Sequence, residues 1–193
     1  MNLPNKLSVI RMILVPVFVI VMMLVGDPWG SIIGVALFII ASLTDMLDGK
    51  IARKYNLITD FGKFIDPLAD KFMVIGALLV ILYKYESIRP VFIWAVIIVI
   101  FRELAVTSIR LVASSSSGVV IAANWLGKIK TVTQIVCICS VIIEPLIYKA
   151  AGLDRLLVYL PLTYLTTALM IIFTLWSGIN YIVSYWKYLD PQK

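Results

Sequence analysis

The chain has 193 residues, 62% of them hydrophobic, and its mean hydropathy of +1.02 excludes an ordinary water-soluble domain. Seventeen basic and eleven acidic residues leave a net charge of +6, and there is no histidine. That absence rules out His-based acid–base catalysis and His-ligated zinc or iron, so a general base falls first to a carboxylate.

Six apolar stretches predict membrane-spanning helices: Leu7–Val25, Ser31–Thr44, Phe64–Tyr83, Val91–Val112, Ile129–Tyr148 and Leu156–Tyr185. About 20 mostly apolar residues suffice for one crossing. The first stretch keeps Arg11 and lacks a small-residue cleavage site, so it reads as a retained helix rather than a signal peptide. The second is short unless it continues through the acidic residues that follow. The last is long enough to tilt or to leave the bilayer. Every connection is short, which predicts an all-α integral membrane protein with one six-helix domain over 1–193.

Basic residues mark the orientation. Lys6, Arg11, Lys50, Arg53, Lys54, Lys63, Lys71, Arg102, Arg110, Lys128, Lys130, Lys187 and Lys193 fall at one membrane face. Only Lys84, Arg89, Lys149 and Arg155 fall at the other. The positive-inside rule puts the first face and both termini in the cytoplasm of a cell membrane. A basic ring at a membrane face favours anionic lipid or a phosphorylated substrate over nucleic acid. Cys137 and Cys139, at i,i+2 on a helix, point apart and read as packing residues.

The stretch DMLDGKIARKYNLITDFGKFIDPLAD, residues 45–70, puts five aspartates into this apolar chain. At about 100° per residue, Asp45, Asp48, Gly49 and Ala52 share one helix face, with Arg53 at its border. Gly62, Asp66 and Asp70 repeat at i, i+4, i+8 and form a second stripe. Pro67 predicts a helix start close to Asp66. Residues 54–61, with Asn56, Thr59 and Asp60, read as a short turn. Two helices joined this way pack antiparallel and bring their acidic faces together. Four facing carboxylates repel unless cations lie between them, and two divalent ions about 4 Å apart would satisfy Asp45, Asp48, Asp66 and Asp70. Carboxylate oxygens select hard ions, Mg²⁺ or Mn²⁺. The plainer alternative is a set of helix caps and interfacial ion pairs. It accounts for one aspartate more easily than for four with Gly, Ala and Arg between them.

These residues complete the pattern D-x-x-D-G-x-x-A-R-x8-G-x-x-x-D-x-x-x-D, which resembles the signature of the CDP-alcohol phosphotransferases. The resemblance implies a six-helix fold, two bound divalent ions and transfer from a CDP-linked lipid to an alcohol with release of CMP. It makes Asp70 the general base as well as a metal ligand. It assigns Gly49, Ala52, Arg53, Thr59 and Gly62 to the CDP group. Asn5, Ser8 and Arg11, spaced i, i+3, i+6, are similar to an N-x-x-[ST]-x-x-R element that closes over the nucleotide. Helix capping by Asn5 with a snorkelling Arg11 is the competing explanation. The family also suggests a homodimer.

The later helices bear on the acceptor. FRELAVTSIR carries Arg102, Glu103 and Arg110, and GKIKTVTQ carries Lys128, Lys130, Thr131 and Gln134. A cationic pocket of Arg110, Lys128, Lys130 and Thr131 suits an acceptor with its own phosphate. Positive-inside flanking charge could explain any one of them alone. Both segments resemble those of family members that join CDP-diacylglycerol to sn-glycerol 3-phosphate. Inositol phosphate, serine or a second phosphatidylglycerol are the acceptors elsewhere in the family. A divalent-cation transporter or a lipid-binding scaffold is the alternative from another class.

Overall fold

The structure, a computed structural model, describes residues 1–55, 57, 59–117 and 125–186, with backbone only for Arg53 and for 114–117. Among the described residues six long helices follow in order: α1 (Leu3–Leu24), α2 (Trp29–Lys54), α3 (Asp60–Lys84), α4 (Arg89–Ser117), α5 (Trp125–Ala150) and α6 (Pro161–Tyr185). Single 3₁₀ turns, Glu86–Ile88 and Asp154–Leu157, precede α4 and α6. Among the described residues there is no strand.

Three boundaries differ from the sequence expectation. The second apolar stretch does continue through the acids, so α2 runs to Lys54. The third helix begins at Asp60, well before Asp66, and holds Pro67 inside it. Thr59 decides that start: its side chain accepts from the N–H of Gly62 at 3.0 Å, giving the first turn a cap. The proline removes one intrahelical bond to the carbonyl of Lys63, and that residue is exposed where water can replace the bond. The sixth helix begins at Pro161 instead of Leu156, because Leu160 takes a left-handed conformation (φ 39°) and Pro161 suits a first helical position.

Among the described residues, five helical segments are long and apolar enough by themselves to cross a membrane: Leu3–Leu24, Trp29–Ala52, Glu86–Ala113, Trp125–Ala150 and Asp154–Tyr185. This is a multi-pass membrane protein. The six-helix expectation holds, with α3 as the sixth and most highly charged helix. Its first half holds Asp60, Lys63, Asp66, Asp70 and Lys71, so only its second half is continuously apolar. Much of that first half is exposed, with Gly62, Ile65 and Ala69 as its buried positions. Outward positions such as Ile13, Trp94, Leu111 and Val183 are apolar and exposed, as a lipid-facing surface requires.

α1 packs most extensively against α2 and α3, while α6 packs against α4 and α5. The two groups of three meet where α3 touches α4 and α5, and where α2 touches α5. Ala69, Ala77 and Ala95 are fully buried, and small side chains there let helix backbones approach closely. The apolar core lies beyond the acidic motif along the bundle, with Phe18 of α1 and Phe38 of α2 in contact at 6.1 Å between ring centres.

Candidate active site

The acidic faces of α2 and α3 come together as the sequence suggested, with the Asp45 and Asp70 side chains in contact, although the two helices themselves pack little against each other. α1 packs against both, and α2 touches α3 far less than either touches α1. The two acidic faces are also joined through Arg11. Its guanidinium is fully buried, pairs with Asp45 at 2.6 Å and Asp70 at 3.1 Å, and also pairs with Asp48. Three carboxylates from two helices therefore converge on one cation from a third. The aromatic or aliphatic residue expected inside a helix bundle could not replace it without leaving buried charge unpaired.

The same face of α1 carries the rest of the N-terminal row. The hydroxyl of Ser8 donates to Asp66, the fourth aspartate, and also lies 3.1 Å from the carbonyl of Pro4. The Asn5 side chain donates to Thr59 Oγ1 at 2.9 Å, and the Thr59 hydroxyl lies 3.1 Å from Asn5 Oδ1. A side chain on Gly62 would put its Cβ 2.9 Å from Asn5 Oδ1 and 3.2 Å from Thr59 Oγ1, so it would push apart the Asn5–Thr59 pair. Asn2, which caps α1, donates to the carbonyl of Leu57 at 2.7 Å and ties the helix entry to the α2–α3 turn. Asn5 is thus not the cap of α1. Asn5, Ser8 and Arg11 serve as three rungs that attach α1 to the acidic motif.

Asp48 is buried, Asp45 and Asp66 are half-buried, and the side chain of Asp70 is 51% exposed. Of the four, Asp70 is the carboxylate most open to an entering molecule. Gly49 and Ala52 lie half-buried on α2 beside the acids. The side chain of Arg53 lies outside the described residues. Among the described residues no three acidic side chains form a closed cage for a metal. Arg11 occupies the space between them. The donor chemistry nonetheless fits a hard cation. Four carboxylates against one guanidinium leave three negative charges uncompensated within the cluster, and all the ligand atoms are oxygen.

A second charged cluster lies next to the first. Glu103 of α4 pairs with Arg102 at 3.2 Å and with Lys130 of α5. Lys130 and Asp70 are near enough for their charges to interact, as are Glu103 and Lys71. Arg102 also donates to Ser177 Oγ at 2.8 Å, and Arg110 donates to the phenol oxygen of Tyr181 at 2.6 Å, both on α6. Lys130 is buried, while Arg110 is exposed. Lys128 and Thr131 are not gathered into this cluster. Both are exposed, and the Thr131 hydroxyl turns back to the carbonyl of Gly127 at 3.1 Å.

Sequence reasoning missed the α6 contribution. Ser177 and Tyr181 sit at i,i+4 on α6, with Gly178 between them. That spacing was the available signal, but nothing in it names the arginines it serves.

A cavity of about 280 Å³ at the opposite end of the bundle is lined by Asp27, Ser31, Lys84, Tyr85 and Lys149 among others. None of the motif residues borders it, so the chemistry is not there.

Residues 1–186 match the family model described as CDP-alcohol phosphatidyltransferase. A CDP-diacylglycerol–glycerol-3-phosphate 3-phosphatidyltransferase of Bacillus subtilis (strain 168) is 43% identical over 202 residues, covering 99% of this chain and 98% of that protein. The protein of the same description from Escherichia coli (strain K12) is 32% identical, covering 94% of this chain and 93% of its own length. That of Rickettsia bellii (strain RML369-C) is 37% identical over 133 residues, covering 69% and 70%.

Proposed function

The chain belongs to the CDP-alcohol phosphatidyltransferase family, and from that premise we propose that it transfers the phosphatidyl group of CDP-diacylglycerol to sn-glycerol 3-phosphate. The products are phosphatidylglycerophosphate and CMP, a step of phospholipid synthesis. The observation that carries this reading is the full-length match to a relative of that description, 43% identical over 99% of the chain. The adjacency of an acidic and a cationic cluster supports it from the side of chemistry.

In this reading a primary hydroxyl of glycerol 3-phosphate attacks the phosphorus that carries the diacylglycerol. The bond from that phosphorus to the bridging diphosphate oxygen breaks, and CMP leaves. Asp70 takes the hydroxyl proton; its exposure relative to Asp48 supports that role. Asp45, Asp48, Asp66 and Asp70 would hold two divalent ions, Mg²⁺ or Mn²⁺, which would neutralise the diphosphate. Asn5, Ser8, Gly49, Ala52, Thr59 and Gly62 lie at the same end and are the proposed contacts for the CDP group. Arg53 joins them through the family motif. Arg110 and Lys130 receive the acceptor's phosphate, with Lys128 and Thr131 as outer contacts that an entering ligand would have to draw in.

The active face and both termini are assigned to the cytoplasm, on the thirteen basic residues at that face. The 193 residues act as one catalytic domain, and a homodimer is carried over as a family expectation. The deciding experiment gives purified protein labelled CDP-diacylglycerol with Mg²⁺ and a panel of acceptors. Glycerol 3-phosphate should be used well ahead of serine, inositol phosphate and glycerol. Chelation should stop turnover and added Mg²⁺ or Mn²⁺ should restore it. A preference for another acceptor would overturn the substrate assignment, and full activity of metal-free protein would overturn the metal assignment.

A further inference from the structure

We propose that Tyr181 of α6 is a positioning residue that fixes Arg110 of the acceptor pocket, so that α6 sets acceptor affinity without touching the acceptor. The inference rests on the acceptor reading above. Tyr181 is 2% exposed, so its ring is held by packing and its phenol points in a defined direction. That phenol accepts from Arg110 at 2.6 Å. The ring lies 5.1 Å from the guanidinium of Arg110 and 5.9 Å from that of Arg102, within cation–π range of both.

Arg110 is exposed, and an exposed arginine samples many rotamers unless something holds it. Tyr181 uses one of its five N–H donors and leaves the others for a ligand. Arg102 is held from three sides: by Glu103, by Ser177 and by the Tyr181 ring. Gly178 makes this approach possible, since a Cβ there would stand 3.0 Å from Arg102 Cγ. Ser177, Gly178 and Tyr181 thus form one continuous seat on α6 for two arginines of α4. Binding a phosphate with arginines already in place costs less ordering than recruiting mobile ones.

The test compares Tyr181→Phe, which keeps the ring and removes the hydroxyl, with Arg110→Ala and with the double variant. Loss of one hydrogen bond predicts a KM for glycerol 3-phosphate raised about three- to tenfold in Tyr181→Phe. The kcat at saturating acceptor and the KM for CDP-diacylglycerol should stay near wild type. In the Arg110→Ala background, Tyr181→Phe should add little, because the group it positions is gone. Equal effects in both backgrounds, or a general loss of kcat and thermal stability, would assign Tyr181 to packing alone and overturn the proposal. If Arg110→Ala raises the acceptor KM but Tyr181→Phe does not, the positioning inference falls and the acceptor pocket stands. If Arg110→Ala itself leaves that KM unchanged, both fall together.

Discussion

Two neighbouring clusters in this bundle have opposite polarity and the same plan. In one, a single buried cation, Arg11, is surrounded by Asp45, Asp48 and Asp70. In the other, a single anion, Glu103, is held between Arg102 and Lys130. Each central charge comes from a different helix than at least one of its partners, so each also fastens helices together. The difference lies in what remains. The first cluster keeps an excess of negative charge and the second an excess of positive charge, so one suits metal ions and the other a phosphate. Helix association in lipid lacks a hydrophobic drive between apolar surfaces, and polar contacts of this kind supply part of it.

Asp70→Asn tests the acidic side with the largest expected effect. The amide keeps the shape but cannot accept a proton, and loss of a general base costs about 10²- to 10⁴-fold in kcat. Binding of CDP-diacylglycerol, measured on the same preparation, should change far less. A kcat near wild type would place the base elsewhere.

Arg11→Ala asks whether the central cation of the first cluster is structural. It leaves buried Asp48 unpaired and Asp45 and Asp70 without their shared partner. Breaking a buried pair costs about 3–5 kcal/mol, and the half-exposed Asp70 points to the lower end of that range. Thermal unfolding in detergent without divalent ions should show the loss, and added Mg²⁺ should recover more stability than it does in wild type. An unchanged melting temperature would mean that Arg11 fastens nothing.

Lys130→Ala breaks the second cluster with a smaller effect. Removing one hydrogen bond to a charged ligand costs about 1.5–3 kcal/mol, seen as a raised KM for glycerol 3-phosphate. CDP-diacylglycerol binding should remain intact. The reverse pattern, with donor affinity lost and acceptor KM normal, would exchange the roles given to the two clusters.

Asp27, at the far end of the bundle, supplies the contrast with the smallest effect. Burial pushes its carboxyl up, but the Ser31 hydroxyl at 2.6 Å and the Lys84 ammonium at 2.9 Å outweigh that, and the net shift is below the ordinary 3.8. A carboxyl depressed on folding contributes stability above its unfolded pKa, and that contribution is lost as pH falls through the folded value. Asp27→Asn should therefore melt slightly below wild type at neutral pH, and the gap should close below pH 3.8. The pair is partly solvent-screened, so an effect above about 1 kcal/mol would contradict this account. Acceptor and donor KM values should not move.

Hydropathy and charge placement in the sequence determined a helical, multi-pass membrane chain and its helix order. Short-range spacing determined which faces carry the acids, because residues three, four and eight apart on one helix have no choice but to share a side. Spacing along a chain says nothing about which helix packs against two others. The tertiary structure decided that α1 packs against both α2 and α3, which turned Asn5, Ser8 and Arg11 from a row on one helix into rungs on the motif. It also decided that Ser177, Gly178 and Tyr181 of α6 lie under Arg102 and Arg110, residues more than sixty positions away. The start of α3 at Asp60 falls between the two, since the Thr59 cap is local but its contact with Asn5 is not. The physical reason is common to all three. A charged group in an apolar bundle must find a partner wherever packing brings one, and packing is set by whole helix surfaces rather than by neighbours in sequence.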